Sequence, residues 1–218
     1  MRKPRFMKPI LSSMVATASA VFAADIVRDG RMMGRIGLPV DPKPFEKQAA
    51  AELADIVEKM TGVRLETVDL AAGGEEQWAT ELRKTGMTPI LLGRSADGAV
   101  AADWKDARDV RGAFVLKVGP AGVFIAGNEE GVYYGVIELL EQAGCRWFMP
   151  GPLGEVIPRG PSLAVREQTT VQKPSFPSRW FQMPDRDWQM RVRCGGDVFA
   201  GAHGMVAPPV KVNPQTGE

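Results

Sequence analysis

The sequence predicts an α+β fold in which a mixed sheet of about seven short strands carries two helices on one face. Two long stretches repeat apolar residues at three- and four-residue intervals, which is the spacing of amphipathic helices. The remaining apolar runs are short and are separated by turn residues, as is typical of strands. Strands and helices do not alternate strictly along the 218 residues, so the pattern favours an α+β fold over a regular βαβ fold.

The first predicted helix lies between Pro42 and Gly62. It follows a strand-like stretch over residues 31–40, and Pro44 stands in its first turn, where proline is tolerated. Glycine commonly ends a helix, and the alternation over residues 63–70 predicts a strand after it. Five apolar residues at helical spacing are expected to form the buried face of the helix: Phe45, Ala49, Leu53, Ile56 and Met60.

The sequence between the two helices is less regular. Residues 71–84 are small and polar, and we interpret them as a loop with a helical turn around Trp78. Residues 89–93 predict a short buried strand, and the polar residues 99–111 predict irregular structure. Two strand-like runs within residues 113–126 flank a Gly-Pro-Ala-Gly turn, which predicts a hairpin.

The second predicted helix begins after Asn128, a residue that favours the N-cap position. Glu129 and Glu130 place negative charge at the positive end of the helix dipole, so they are interpreted as helix-cap charges and not as a catalytic pair. Gly144 is expected to end the helix. The apolar face is carried by residues at helical spacing: Val132, Val136, Leu139, Leu140 and Ala143.

The chain beyond this helix is predicted to contain short strands and then a change of character. A strand over residues 145–148 follows directly, and the helix is expected to pack against the sheet that this strand enters. Further short strands are expected at 155–157 and 163–165. Residues 166–173 are interpreted as a polar linker, and the glycine- and proline-rich residues 174–218 lack apolar periodicity and cannot build a core alone.

The N-terminus has the organisation of a signal peptide over residues 1–23. Four basic residues precede a short apolar run over 10–22, and a small-x-small pattern predicts cleavage between Ala23 and Ala24. The protein is therefore expected to be exported to the periplasm or the extracellular space, with a disordered basic tail or an uncleaved anchor as the alternatives. The apolar run is too short to span a bilayer, and no cysteine follows the cut, so no membrane anchor is expected.

The net charge and the cysteine content indicate whether nucleic acid is a plausible partner and whether disulfide bonds are expected. Removing the four basic residues of the leader lowers Lys and Arg from 27 to 23 against 26 acidic residues, so the net charge changes from +1 to −3. No basic stripe remains, and nucleic acid is not expected as a partner. Cys145 and Cys194 are too few for a disulfide framework, although an oxidising compartment would allow them to pair. Cys145, in an apolar strand, is interpreted first as a buried thiol.

The sequence contains no motif for a nucleotide, a metal or a nucleophilic triad. Gly127, Gly131 and Gly135 are spaced by four residues, unlike the dinucleotide-binding pattern, and the stretch 93–95 lacks the lysine of a phosphate-binding loop. His203 is the only histidine, and one histidine cannot supply a zinc cluster or a proteolytic triad. We therefore expect no cofactor and no metal site.

One run of residues carries a family resemblance. Gly131-Val132-Tyr133-Tyr134-Gly135, followed by residues 139–141 and 144–151, resembles the N-terminal domain of α-glucuronidases and the matching domain of family 20 β-hexosaminidases. It is most similar to large, uncharacterised secreted bacterial proteins with the same plan. Supporting matches lie at 48–62, 90–94 and 154–158, and the resemblance covers roughly residues 40–188.

The resemblance implies a domain organisation. Residues 24–165 would form the small α+β domain, 166–173 the linker, and 174–218 the incomplete start of a (β/α)8 catalytic barrel. In such proteins the helix supports a strand at the junction with the barrel, so Trp147 and Phe148 are expected to seal that junction.

The resemblance also implies candidate residues for substrate binding. The pattern Pro174-x-Phe176-x-x-Arg179 resembles the first barrel strand of the hexosaminidases, whose arginine hydrogen-bonds the terminal sugar. A guanidinium group suits that task because it offers several fixed donors. The alternative for Arg179 is a structural ion pair. Independently of the resemblance, the segment after residue 178 concentrates aromatic rings and charged hydrogen-bonding groups, which together are what a sugar site uses. The candidates for sugar contact are Arg179, Asp185, Trp188 and His203.

No catalytic residue is predicted within this chain. Glycoside hydrolysis ordinarily needs two carboxyl groups flanking the bond, and in a barrel they come from later strands. The expected function is the exported, N-terminal, non-catalytic portion of a carbohydrate-active protein of glycoside-hydrolase type, which would meet its polysaccharide or oligosaccharide substrate through the barrel. The alternative is a free-standing carbohydrate-binding or interaction domain without catalysis.

Overall fold

A six-stranded mixed sheet forms the centre of the computed structural model, which describes residues 22–179 and 185–196. The helices are α1 (Pro44–Thr61), α2 (Glu75–Lys84), α3 (Asp97–Val100), α4 (Gly131–Gln142) and α5 (Arg186–Arg191). The strands are β1 (Phe22–Arg28), β2 (Arg31–Met32), β3 (Gly34–Pro39), β4 (Thr67–Leu70), β5 (Thr88–Leu92), β6 (Phe114–Gly119), β7 (Gly122–Gly127), β8 (Arg146–Trp147), β9 (Glu155–Val156), β10 (Leu163–Arg166), β11 (Gln168–Gln172), β12 (Ser178–Arg179) and β13 (Gly195–Gly196). The predicted α+β class with a mixed sheet is confirmed.

The order of the central sheet is β11-β6-β7-β5-β3-β4. Strands β4, β3, β5 and β7 run parallel to one another, whereas β6 and β11 are added as antiparallel neighbours. The predicted hairpin is the β6–β7 pair, in which Gly119 lies opposite Gly122 across a two-residue turn. A separate three-stranded sheet with the order β10-β1-β2 adds its buried residues to the same core as the long helices.

The two long helices lie on one face of the central sheet, which we call the helix face. Along β7, Val123 and Ile125 belong to the core under α1 and α4, while Phe124 and Ala126 belong to a smaller core on the opposite face. This alternation is the period-two pattern of a strand buried on both sides. The predicted placement of both helices on a common face therefore holds.

The opposite face carries a helix that the sequence did not predict. Residues 71–84 were expected to form a loop with one helical turn around Trp78, but α2 occupies Glu75–Lys84 as a ten-residue helix and packs Trp78 against the smaller core. Only Ala79 and Leu82 of this helix are buried, so its apolar periodicity is too sparse to read from the sequence. Acidic residues in its first turn and basic residues in its last turn oppose the helix dipole and support the helix.

Helix α4 begins later than predicted. Asn128 is not its N-cap, because the helix starts at Gly131 with Glu130 in the capping position. The Asn128 side chain instead donates to the carbonyl of Arg108 at 2.8 Å, and its own carbonyl accepts from the amide of Gly131 at 2.9 Å. Asn128 thus fixes the loop before the helix and leaves the helix itself uncapped by a side chain.

The glycines spaced by four residues allow α4 to lie very close to the sheet. A Cβ atom on Gly131 would lie 2.0 Å from the carbonyl oxygen of Ala113, and one on Gly135 would lie 2.4 Å from Ile125. Real Cβ atoms do not approach heavy atoms so closely, and the Ala113 oxygen is backbone that cannot swing aside. The four-residue spacing of these glycines does not match the dinucleotide-binding pattern. Its role in the structure is to let α4 pack closely against the sheet.

Two predictions about the chain after α4 were wrong. Strand β8 does not enter the central sheet, since it pairs only with β9, with Trp147 opposite Glu155. The stretch 166–173, expected to be a linker, contains β11, which pairs with β6 along five residues and forms an edge of the central sheet. Its sequence, Gln-Thr-Thr-Val-Gln, is mostly polar because an edge strand buries little.

The predicted cleavage point lies within β1, where Ala24 is opposite Val165, and the rest of the leader lies outside the described residues. Export remains a prediction. None of the helices in the described part of the chain is long and apolar enough to cross a membrane.

Candidate functional site

Residues 185–196, which we call the docked segment, pack against the outer side of α4 and reach α1. Met190 belongs to the main core and Cys194 is buried. The Tyr134 hydroxyl, on α4, donates to the carbonyl of Cys194 at 2.9 Å. At its end the segment pairs with β12, where Arg179 lies opposite Gly195. The part of the chain predicted to begin a new domain is therefore fastened to the small domain.

Arg191 is the central contact of the docked segment. Its Nε donates to Glu52 of α1 at 2.7 Å, its Nη1 donates to Glu155 of β9 at 2.5 Å, and its guanidinium lies 5.5 Å from the ring centre of Trp147. Burial lowers the pKa of Arg191, but the hydrogen bond and charge of Glu52 outweigh burial, and the net pKa is raised. Charge-assisted bonds from both sides hold this side chain in one position.

Arg193 makes a second set of ion pairs with α4. Its Nη2 lies 2.8 Å from a carboxylate oxygen of Glu138 and 2.5 Å from one of Glu141. Its φ of 59° places the backbone in the left-handed region, which is unfavourable for a non-glycine residue. The ion pairs and the surrounding packing hold this conformation in place.

Arg179, the first candidate for sugar contact, is bonded to backbone carbonyls. Its Nε donates to the carbonyl of Arg193 at 3.1 Å and its Nη1 to that of Phe176 at 2.9 Å. The guanidinium also lies 5.8 Å from the ring centre of Tyr134. No carboxylate among residues 22–179 and 185–196 pairs with it, so the ion-pair alternative for Arg179 is wrong within the described chain.

The other candidates have structural contacts or lie outside the described residues. Asp185 caps α5, since its Oδ1 accepts from the amide of Trp188 at 2.8 Å. The Trp188 indole donates to the carbonyl of Trp147 at 3.1 Å, and its ring packs on the core. His203 lies outside the described residues. Arg179, Asp185 and Trp188 thus surround one junction, and their contact with sugar stays a prediction.

The two aromatic residues expected at the junction have different environments. Trp147 is 5% exposed beneath Arg191, as a junction residue would be. Phe148 is 71% exposed, and its role at a junction with a following domain stays a prediction. It belongs to a group of exposed apolar residues in the β8–β9 connection, which we call the apolar patch: Phe148, Met149, Leu153 and Val156.

The described residues do not assemble a nucleophile or a metal centre. No group of three or more metal-ligating side chains exists among them. Cys145 and Cys194 are both free thiols, and burial raises the pKa of Cys145 to about 11. Burial likewise raises the pKa of Tyr134 to about 12. These groups stay protonated at neutral pH and serve packing.

The residues that fix the junction were not visible in the sequence. Arg191 and Glu52 are 139 positions apart, and Arg193 and Glu138 are 55 apart. Neither pair lies within one helix, where a spacing of three or four would indicate contact. In the sequence, only the concentration of charged and aromatic residues after position 178 indicated a candidate sugar site in that region.

Comparisons with known proteins give a partial likeness. No family model matches the chain, and no curated protein matches it. Among solved structures, a variant of Streptomyces plicatus β-hexosaminidase in complex with its product GlcNAc is 21% identical over 73% of this chain, with a TM-score of 0.40. A GH20 β-N-acetylhexosaminidase from Streptomyces coelicolor A3(2) is 18% identical over 73% of this chain, with a TM-score of 0.41. In both cases the match covers 26% of the solved chain, so this chain spans about a quarter of the length of the structures to which it is similar.

Proposed function

We propose that this chain is the exported, N-terminal, non-catalytic portion of a carbohydrate-active protein of glycoside-hydrolase type, and that it holds the start of the following domain in place. The observation that carries the proposal is the position of Arg191. This one side chain joins the docked segment to α1 through Glu52, to β9 through Glu155 and to β8 through Trp147.

The strength of this junction comes from the burial of its charges. The side chains of Arg191, Glu52 and Glu155 are 16%, 14% and 20% exposed. Removing one partner from such a group leaves charges that neither water nor protein satisfies well, so the group holds together in one arrangement. A flexible connection to the next domain would not require such a buried group of charges.

The apolar patch supports a carrier role, by which we mean that this chain holds the start of the following domain in place. Leu153 is 96% exposed and Phe148 is 71% exposed, beside the strand that contains Trp147. Adjacent exposed apolar side chains in a secreted protein favour a surface that another part of the protein covers. Trp147, the sequence neighbour of Phe148, contacts Arg191 and Trp188 of the docked segment, where a following domain would begin.

The reaction class comes from the sequence resemblance at residues 131–151 and 90–94. A retaining or inverting hydrolase of that kind uses two carboxyl groups from later barrel strands. The reading frame beyond codon 218 provides the test. We expect it to encode a barrel with an acidic pair at strand ends, and unrelated genes after a true stop codon would contradict the proposal.

Limited proteolysis tests the carrier role on the chain itself. We expect the protease-resistant fragment to retain β11 and the docked segment, because both are tied to the small domain by strand pairing and ion pairs. Arg191→Gln should release the docked segment, whereas Arg31→Gln, an exposed arginine on β2, should not. Rapid trimming of the wild-type chain back to Val165 would show that the segment is not held.

The same protein separates the proposal from a free-standing carbohydrate-binding domain. A carrier should show no change of tryptophan fluorescence with neutral oligosaccharides, since Trp147 is covered by Arg191 and the Trp188 indole is bonded to a carbonyl. Saturable binding of such a sugar by this chain alone would favour the binding-domain alternative.

A further inference from the structure

We propose that a small pocket between β11, α4 and β12 binds a single oxyanion group, such as a carboxylate, a phosphate or a sulfate. The pocket has a volume of about 120 Å³, and its walls include Lys173, Arg179, Arg193, Tyr134 and Gly112. This site does not depend on the proposed carrier role, because its argument uses only the charges, donors and space of the pocket.

The charge of the pocket wall is positive. Three of its lining residues are cations and none is acidic. Arg193 is compensated by Glu138 and Glu141, which bind its Nη2. Arg179 has only carbonyl acceptors, and Lys173 is exposed at the rim with no ion pair among the residues that the structure describes. An anion entering the pocket would therefore meet two uncompensated positive charges.

Two buried donors in the wall lack acceptors. Arg179 Nη2 and Arg193 Nε are both shielded from solvent, and neither has a hydrogen-bond partner within the described parts of the chain. A buried donor on a charged group costs free energy when it is left unsatisfied. An oxyanion supplies several acceptor oxygens at once, and guanidinium groups match its geometry well.

The wall of the pocket leaves space beside one of these buried donors. A Cβ atom on Gly112 would lie 2.9 Å from Arg179 Nη2 and 3.4 Å from both Pro174 and the Tyr134 ring. The absence of a side chain at this position, which has a φ of 76°, leaves the space beside Nη2 open. The Tyr134 ring lies under the guanidinium and keeps it in place, while the Tyr134 hydroxyl is occupied by Cys194.

The volume indicates the size of the ligand group. A single water needs only about 10–15 Å³ on this measure, so the pocket has room for a polyatomic ion. Sites for whole drug-sized molecules measure about 300–1,000 Å³. The pocket therefore takes one acidic group, either a free ion or the acidic group of a larger molecule that remains outside.

Thermal unfolding of the full chain tests the site with sodium phosphate, against sodium chloride at matched ionic strength. Ligand binding to the folded state raises Tm in a saturable way. We expect phosphate to raise Tm above the chloride baseline, and Arg179→Gln to weaken the apparent affinity at least about tenfold. Arg31→Gln makes the same charge change on exposed β2 and should leave the effect intact.

A second variant covers the possibility that Arg179→Gln does not fold. Lys173→Gln changes an exposed rim residue and should weaken phosphate binding, whereas Lys84→Gln at the end of α2 should not. An equal response to phosphate and chloride in the wild type would overturn the proposal. So would a phosphate effect that is the same in wild type, Arg179→Gln and Lys173→Gln.

Further ligands distinguish the source of the oxyanion. Acetate, glucuronate and glucose are compared under the same conditions. Stabilisation by glucuronate that exceeds that by acetate, with none by glucose, would support the site and assign it to a sugar acid. Stabilisation by phosphate alone would support the site and assign it to a phosphate group. Stabilisation by glucose equal to that by glucuronate would overturn the oxyanion assignment.

Discussion

The helix face of the central sheet and its opposite face are covered in different ways. Helices α1 and α4, of 18 and 12 residues, cover the helix face, while α2, of 10 residues, and the single turn α3 cover the other. Among the described residues the core under the helix face contains 32 buried side chains, against eight on the opposite face. The helix face also receives the docked segment. Stability and the attachment of the following chain are thus concentrated on one side of one sheet.

The opposite face is covered by short helices together with two large aromatic side chains. Trp104 is 4% exposed within the irregular stretch after α3, and Trp78 of α2 packs on the same core. Two large rings cover area that a regular helix would cover with many aliphatic residues. A short, polar helix is therefore sufficient where wide aromatic side chains fill the remaining space.

The largest expected effect comes from adding a single methyl group to a helix on each face and comparing the loss of stability. In Gly131→Ala the new Cβ would lie 2.0 Å from the Ala113 oxygen, so α4 must move off the sheet. We expect the free energy of unfolding to fall by more than about 4 kcal/mol, a large fraction of the stability of an ordinary domain. Gly98→Ala in α3 is the matched control, since no heavy atom lies within 4 Å of its Cβ. Urea denaturation followed by circular dichroism measures both variants, and a Gly131→Ala protein as stable as Gly98→Ala would show that the close approach is not needed.

Leucine truncation compares the two faces directly. Leu53 of α1 is 1% exposed and Leu82 of α2 is 7% exposed. We expect Leu53→Ala to lower the free energy of unfolding by about 3 kcal/mol and Leu82→Ala by about 2 kcal/mol, because the larger core relaxes less around a cavity. Urea denaturation measures both. A larger loss for Leu82→Ala would reverse the comparison.

Arg191→Gln tests how much the docked segment adds to the helix face. Loss of the guanidinium leaves Glu52 partly buried without its partner, whereas Glu155 keeps an ion pair with Lys59 at 3.4 Å. We expect a loss of about 2 kcal/mol, below the cost for a fully buried pair because these carboxylates retain some contact with water. Arg31→Gln on β2 should be neutral. Equal urea midpoints for wild type and Arg191→Gln would mean that the junction contributes no stability.

The smallest effect is a pH dependence confined to the helix face. Burial raises the pKa of Cys145 from 9.0 to about 11 and that of Tyr134 from 10.0 to about 12, and it also raises the pKa of Tyr133. The unfolded chain therefore loses these protons first, so stability is complete below about pH 9 and falls as pH rises through the folded pKa values. All three groups belong to the larger core.

Urea denaturation at pH 8 and at pH 9.5 measures this dependence. We expect a decrease in the free energy of unfolding of about 1 kcal/mol between the two. Cys145→Ala should show a smaller decrease, since the thiol is one of the three groups. An unchanged free energy of unfolding at pH 9.5 would place these groups in contact with water.

The sequence was informative where apolar residues repeat on one element. The spacing of Leu53, Ile56 and Met60 identified α1, and the turn between Gly119 and Gly122 identified the hairpin. It was uninformative for α2 and β11, because these elements bury only a few residues each. Their structure depends on the sheet that they join, and no local pattern encodes it.

The candidate site was located in sequence only as a region. The resemblance directed attention to residues 174–188, and three of the four candidates lie around one junction. The partners Glu52 and Glu155 come from distant elements that the fold brings together. Without the fold, no spacing rule connects them to Arg191.

Helix α4 contacts the sheet on one side and the docked segment on the other, and this has a mechanical consequence. A pull on the chain at residue 196 would act first on the two-residue pairing of β13 with β12. It would then act on the three side-chain attachments of the segment to the helices, which are made by Arg193, Arg191 and the Tyr134 hydroxyl. Those attachments are side-chain bonds that open one after another, whereas β6 and β7 are joined along six residue pairs that share the strain. Because Gly131 and Gly135 seat α4 directly on that sheet, the helix would remain in place while the segment peels away. Tension on the chain beyond residue 196 would thus be released at the junction before it reached the core.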